Sequence, residues 1–284
     1  MSGELKTFIK GSEWKGMVPD KALSTEVYLL IEEQAITLAA PSEADGTLWM
    51  NRFSLEMPFL EGLKKVFFEE SILSLPYKTT HIFIEGGSYT LVPNDLESTA
   101  SPELWSSLLT PIEEQHILSQ TISVEQMTLL YSVPLELYNF CQRSFSLPTY
   151  SHSMQPFISF ATRLGRQSEP KLLMVRLGQS QMDVLYVADG VLQLSSRYEV
   201  KNDVDVLYFI TAIWRQFYLS QESVPLYLYP YQSTIYSELL LEKLREHISR
   251  IEVNHFPATG MIDNILSKVI DELPPEFILQ LICA

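Results

Sequence analysis

The chain alternates apolar runs with polar turns, and the spacing inside each run predicts what it forms. Between Lys171 and Val200 three apolar stretches are separated by turns at Leu177-Gly178-Gln179 and at Asp189-Gly190. They predict a three-stranded meander, because Asp-Gly between apolar runs is a strong hairpin signal. A second meander is expected from Glu26 to Glu56. There EVYLLIEEQAITL gives two strands around Glu32-Glu33-Gln34, and a third strand follows Asp45-Gly46. Each meander leads into apolar residues at helical spacing. Phe59, Leu60, Leu63, Val66, Phe67 and Leu73 predict a helix over 58–73, and Asn202 or Asp203 is placed to cap one running to Leu219.

The rest of the pattern is shorter-ranged. Strands are expected at 81–85 and 89–92, joined as a hairpin by Gly86-Gly87-Ser88, and again at 116–122 and 127–132. Helices are expected near 102–109, over 134–145 and around Phe157, Phe160, Ala161 and Leu164, with an extended piece at 150–154. Gly165 to Pro170 reads as a linker. Beyond the second meander come a strand at 226–229, a helix over 237–248, a strand at 250–255, and a helix over 261–273 stopped by Pro274-Pro275. The apolar tail, Phe277 to Cys283, is expected to be core, because burying its side chains would contribute several kcal/mol at ~25 cal/mol per Å²; a hook for a partner is the alternative.

The two meanders share more than strand count. Ala44-Asp45-Gly46-Thr47-Leu48 matches Ala188-Asp189-Gly190-Val191-Leu192, and Arg52-Phe53 matches Arg197-Tyr198 one residue further out of step. An internal repeat follows, with the order β-β-β-α-β-α-β-α used twice and extra residues in the first copy. The expected halves are 1–168, with an insert at about 81–126, and 169–284.

Charge narrows the function classes. The chain carries 35 acidic against 20 basic residues, a net −15. Such a surface repels nucleic-acid phosphates and anionic lipid. No run of 18 or more residues is continuously apolar, so no membrane span is expected. The N-terminal stretch has no signal-like apolar region, and Cys141 and Cys283 have no metal or redox spacing; both point to the cytoplasm. The five histidines, His81, His116, His152, His247 and His255, show no ligand spacing, so no metal site is expected. Ser151-His152-Ser153 sets hydroxyls beside an imidazole, but neighbouring strand residues point to opposite faces, so no catalytic residue is assigned there. The cluster Tyr227, Tyr229, Tyr231 and Tyr236 reads as packing at a strand end, with a ligand- or peptide-facing wall as the alternative.

With those residues in place, the pattern resembles the actin-like ATPase superfamily: tandem ribonuclease-H-like α/β domains, each a mixed five-stranded sheet with helices, and a small subdomain inserted in the first. The likeness extends to the pilus assembly ATPase-like protein M, the bacterial cell-division actin homologue and an uncharacterised bacterial family of this fold. In active members, the resemblance implies, each half's first hairpin carries an Asp and small residues that hold magnesium and phosphate. This chain departs from that. The first hairpin has Glu32-Glu33-Gln34 and no glycine, and Arg176 stands where the second hairpin's Asp is expected. The strand at 226–229 runs into Tyr229-Pro230-Tyr231-Gln232-Ser233 in place of an adenine-side glycine pair. The expectation is therefore a non-enzymatic, degenerate actin-like protein without ATP or another cofactor. Its partner is expected to be a protein, a homodimer being one form. The alternatives are a nucleotide binder with altered turns, with Arg176, Gly178, Gln179 and Ser180 at the phosphates and Gln232 and Ser233 nearby, and a small-molecule cleft binder.

Overall fold

The computed structural model describes residues 7–10, 17–32, 34–42, 47–56, 58–85, 87–97, 107, 109, 114–122, 126–178, 180–230, 237–256 and 275–283. The chain divides into two compact units, with the changeover between Gln155 and Pro156. No described helix is long and apolar enough to cross a membrane.

In the first unit the strands are β1 (Thr7–Lys10), β2 (Glu26–Ile31), β3 (Ala35–Ser42), β4 (Thr47–Ser54), β5 (Thr79–Ile84), β6 (Tyr89–Pro93), β7 (Gln115–Ile122), β8 (Met127–Pro134) and β9 (Pro148–His152). Six of them form one sheet in the order β1-β4-β3-β2-β5-β9. The pairs β2–β3 and β3–β4 are antiparallel, whereas β2–β5, β5–β9 and β1–β4 are parallel. Central β2 is a near-continuous apolar run, with Val27, Leu29, Leu30 and Ile31 buried, as a strand covered on both faces requires. The helix Phe59–Glu69 buries Leu63 and Phe67, one turn apart. It stops four residues before the expected end: Glu70 is extended, and a short 3₁₀ turn, Ser71–Ser74, follows.

A separate three-stranded antiparallel sheet, in the order β6-β8-β7, lies between β5 and β9 in the chain. Two expectations change here. The strand expected at 127–132 in the main sheet is β8, the middle of the small sheet; being central, it is buried along Thr128 to Val133 and so reads like a main-sheet strand. The fourth main strand is instead β5, which β9 follows in parallel. Nor do β5 and β6 form the expected hairpin, since they belong to different sheets. Gly87 lies at the crossing, with φ 74°, where a Cβ would come 2.7 Å from the Ser132 carbonyl oxygen.

The second unit holds β10 (Lys171–Leu177), β11 (Gln181–Ala188), β12 (Val191–Glu199), β13 (Leu226–Pro230) and β14 (Ile251–Val253), in the order β12-β11-β10-β13-β14. Its pairings are antiparallel within β10–β12 and parallel for β10–β13 and β13–β14. Order and direction therefore repeat those of β4-β3-β2-β5-β9. Asp189 (φ 52°) and Gly190 (φ 72°) both lie in the left-handed region, the geometry of a tight hairpin turn that suits strand twist. The helix Met154–Gln167 crosses the changeover, and most of it goes with this unit: Phe157 meets Tyr229 edge-on, and Gly165 lies against Val187 and Gly190.

One face of this sheet is covered by the helices Asp203–Gln216 and Glu238–Arg245, joining Val175, Val184, Leu226 and Leu228 to Val206, Ile210, Ile213, Leu240 and Leu244. Both helices start on side-chain caps. Asn202 accepts from the Val204 and Asp205 N–H groups, and Ser237 accepts from the Leu240 N–H. The tail forms the helix Pro275–Cys283, with Phe277, Ile278 and Leu279 buried. The helices expected near 102–109 and over 261–273 lie outside the described residues, save Ser107 and Leu109.

Candidate functional site

The candidate chemistry lies at the first hairpin of each sheet. In the second unit, strand register sets Arg197 on β12, Asp183 on β11, Arg176 on β10 and Tyr229 on β13 along one rung. Residues directly opposite across a sheet share a face, so these side chains meet. Arg176 donates to Asp183 Oδ2 from Nε at 3.0 Å and from Nη2 at 2.5 Å. Arg197 donates from Nε to Oδ1 at 2.7 Å and from Nη2 to Oδ2 at 3.2 Å. Asp183 is 1% exposed and Arg176 4%. Burial pushes the Asp183 carboxyl up; the charges and hydrogen bonds of Arg176 and Arg197 outweigh it and hold the carboxyl below its ordinary value.

The turn itself is closed by backbone bonds. The Gly178 N–H donates to the Gln181 carbonyl at 2.8 Å, and the Val200 N–H donates to that of Ser180 at 3.0 Å. Ser180 is exposed and Gly178 half-buried; Gln179, Gln232 and Ser233 lie outside the described residues. The structure thus brings Arg176, Gly178 and Ser180 to one hairpin. Tyr229 is buried, and its hydroxyl donates to the His255 carbonyl at 2.5 Å. With Tyr227 also buried, the described part of the tyrosine cluster is packing; Tyr231 and Tyr236 lie outside the described residues.

In the first unit the corresponding rung is Arg52 on β4, Thr37 on β3, Leu30 on β2 and Phe83 on β5. The carboxylate comes from Glu32, just past β2, whose N–H donates to the Ala35 carbonyl at 2.9 Å and closes the turn. Arg52 donates from Nη1 to Glu32, from Nη2 to Glu32 Oε1 at 3.2 Å, and to Thr37 Oγ1 at 2.9 Å. Glu32 and Thr37 are buried. Glu33 lies outside the described residues. Each hairpin therefore ends in the same chemistry: an arginine from the third strand neutralises a carboxylate supplied near the first turn. Arg52 and Arg197, paired by the sequence repeat, occupy matching places. Asp183 is the residue that sequence reasoning missed.

At the Ser151-His152-Ser153 stretch, two of the three side chains are held by hydrogen bonds. His152 is buried, its Nδ1 accepts from the Met154 N–H at 3.1 Å, and its ring tilts against those of Tyr89 and Tyr131 at 5.0 and 5.2 Å. Ser151 Oγ accepts from Gln120 Nε2 at 3.1 Å. Cys141 is buried, and burial pushes its thiol up to about 12, away from thiolate chemistry. Among the described residues no group of three or more His, Cys, Asp or Glu could hold a metal ion.

Comparison with known proteins bears on the fold. The model of a family described as "Protein of unknown function (DUF3822)" matches residues 18–251. No curated protein sequence matches the chain. Among solved structures, it is similar to a Bacteroides thetaiotaomicron VPI-5482 protein with an actin-like ATPase fold and unknown function. That pair is 17% identical, with 95% of this chain and all 100% of the other covered, at a TM-score of 0.77. It is also similar to a chain of the PilM-PilN type IV pilus biogenesis complex, at 13% identity, 90% and 96% coverage and a TM-score of 0.56. The chain thus has a mixed α/β, actin-like ATPase fold.

Proposed function

We propose that this chain, which belongs to the DUF3822 family of proteins of unknown function, is a degenerate, non-enzymatic actin-like protein that serves as a protein-interaction or scaffold component. One observation carries the reading. Arg176, the residue best placed by sequence to touch a phosphate, is buried and bonded with Arg197 to Asp183. A guanidinium spent on an internal carboxylate has little left for a triphosphate, and an arginine does not ligate magnesium. The first hairpin supports the same reading, since Arg52 holds Glu32 there. We read the two sheets as one duplicated unit, in support of which stand their common strand order and the matching places of Arg52 and Arg197. A protein partner is in keeping with the PilM-PilN neighbour, which is a complex.

Calorimetric titration of the full chain with ATP and magnesium, coupled to a phosphate-release assay, tests this. The expected result is neither binding below about 100 μM nor turnover, a limit of about −5.5 kcal/mol. Micromolar binding with hydrolysis would sink the proposal.

A further inference from the structure

The helices Asp203–Gln216 and Glu238–Arg245 pack on one face of the second sheet and lie against each other. Their starts are tied, since the Ser237 hydroxyl donates to the Asp203 carboxylate. Val204 and Leu239, each the second residue of its helix, stand at that shared end and are 72% and 58% exposed. Residues four apart share a helix face. The first helix buries Val206, Ile210, Ile213 and Trp214, and its opposite line carries Val204, Tyr208 and Ala212, with Tyr208 64% exposed. An outward helix face is normally charged or polar, whereas this line has no charge on it. The second helix buries Leu240 and Leu244, and its opposite line is Glu238, Glu242 and the capping Glu246, all exposed. Like charges four apart on a helix repel, so an approaching cation relieves this line. An uncharged, tyrosine-bearing stripe thus runs beside an acidic one.

We infer that this helix pair docks a basic amphipathic helix of a protein partner. Its apolar side chains pack on Val204, Tyr208 and Leu239, and its lysines or arginines run along Glu238, Glu242 and Glu246. Helices that lie in grooves use anchors at this spacing, and exposed tyrosine is a favoured anchor. The charges choose the occupant. Anionic lipid and a second copy of this chain, itself at −15, both meet repulsion at the acidic stripe, whereas a basic helix is drawn to it. This surface gives the chemistry of the partner proposed above and so rests on the protein-binding reading. ATP turnover would remove that reading and leave affinity for a basic helix unchanged, whereas loss of selectivity for such a helix would remove this surface alone.

The probe is a fluorescent synthetic peptide, LKKLLKLLKKLLKL, whose leucines fall at helical spacing. Its control, LKLKLKLLKLKLKL, has the same composition in strand-like alternation. Each is titrated with the full chain and read by fluorescence anisotropy. The control is expected to bind about ten-fold more weakly than the helical peptide. Tyr208→Ser should weaken the helical peptide about five- to ten-fold, and Val204→Ser by a smaller factor, with thermal midpoints unchanged. Glu242→Lys should weaken it about five-fold at low salt, whereas Glu136→Lys, an exposed acid on the helix Leu135–Ser144, should change nothing. Equal binding of the two peptides overturns the inference, as does full affinity in both Tyr208→Ser and Val204→Ser. Equal losses in Glu242→Lys and Glu136→Lys reduce the binding to diffuse charge and overturn it too. A dimer in sedimentation, or binding to phosphatidylserine vesicles, that Tyr208→Ser abolishes assigns the face to a second copy or to a membrane, and also overturns it.

Discussion

Arg176 and Asp183 face each other across the β10–β11 hairpin, with Nη2 2.5 Å from Oδ2 and both side chains buried. The pair sits at the hairpin where the resemblance implied phosphate chemistry, and it ties β10 to β11 there. Removing the carboxylate leaves two guanidinium groups, one buried and one partly buried, facing each other, and breaking a buried pair typically costs about 3–5 kcal/mol. Asp183→Ala and Asp183→Asn should each destabilise the chain by about that amount, read as a lowered urea midpoint with an unchanged slope. A loss below about 1 kcal/mol would mean that the rung contributes no more than a surface ion pair.

The same pair has a pH signature. The Asp183 carboxyl is depressed in the folded state, because Arg176 and Arg197 outweigh the upward push of burial. A depressed carboxyl contributes stability that is fully present above its unfolded value, about 3.9, and is lost as pH falls through the lower folded value. The stability gap between the native chain and Asp183→Asn should therefore be constant from about pH 7 to pH 5 and should shrink only below about pH 4. Urea unfolding of both proteins across that range checks the sign. A gap that grows on acidification contradicts it.

The strands of the second meander were legible because Asp189-Gly190 is a hairpin turn and the flanking runs are apolar. The rung built on them was not. Counting outward from that turn pairs Ala188 with Val191 and Val187 with Leu192, which would set Asp183 opposite Ser196. The extra residue Gln193 shifts the register by one and brings Arg197 to Asp183 instead. Apolar runs carry no such information, and they do not say to which sheet a strand belongs. β8 is buried on both faces like a main-sheet strand, yet it lies at the middle of the small sheet. The two-fold order of the meanders could be read because three sequential antiparallel strands pair with their neighbours. The crossovers to β5 and β9 could not, because parallel pairing joins residues far apart in sequence.

Gly190 should tolerate no side chain. Its φ of 72° is left-handed, and a Cβ there would lie 2.1 Å from Arg166 Cγ, in the contact between the helix Met154–Gln167 and the hairpin. Gly190→Ala should cost about 1–2 kcal/mol from the backbone alone. A thermal midpoint lowered by several degrees is the expected reading, and an unchanged midpoint would show that the turn relaxes freely.

Two buried tyrosines should respond in opposite ways to loss of a hydroxyl. Tyr229 donates to the His255 carbonyl, so Tyr229→Phe should cost about 1 kcal/mol. The Tyr131 hydroxyl is buried without a hydrogen-bond partner among the described residues, and burial pushes its pKa up from the ordinary phenol value. Removing an unsatisfied buried group relieves its desolvation cost, so Tyr131→Phe should be neutral or stabilising by up to about 1 kcal/mol. Parallel urea titrations separate the two, and a Tyr131→Phe loss as large as that of Tyr229→Phe would reveal a bonded hydroxyl.

The C-terminal helix gives the largest expected effect. Phe277, Ile278 and Leu279 are each buried, at 1%, 2% and 0% exposure. Burying side chains of this size is worth roughly 1.5–3 kcal/mol each, which together is a large share of the ~5–15 kcal/mol that holds an ordinary domain folded. A chain ending at Pro274 should therefore expose the apolar surface these residues cover, and should elute as aggregate in size-exclusion chromatography. The single change Phe277→Ala keeps the helix but opens a cavity, and should cost about 3–5 kcal/mol while leaving a folded monomeric peak at low temperature. A truncated chain that stays soluble with a native-like midpoint would instead mark the tail as detachable, and so as a segment that some partner could take.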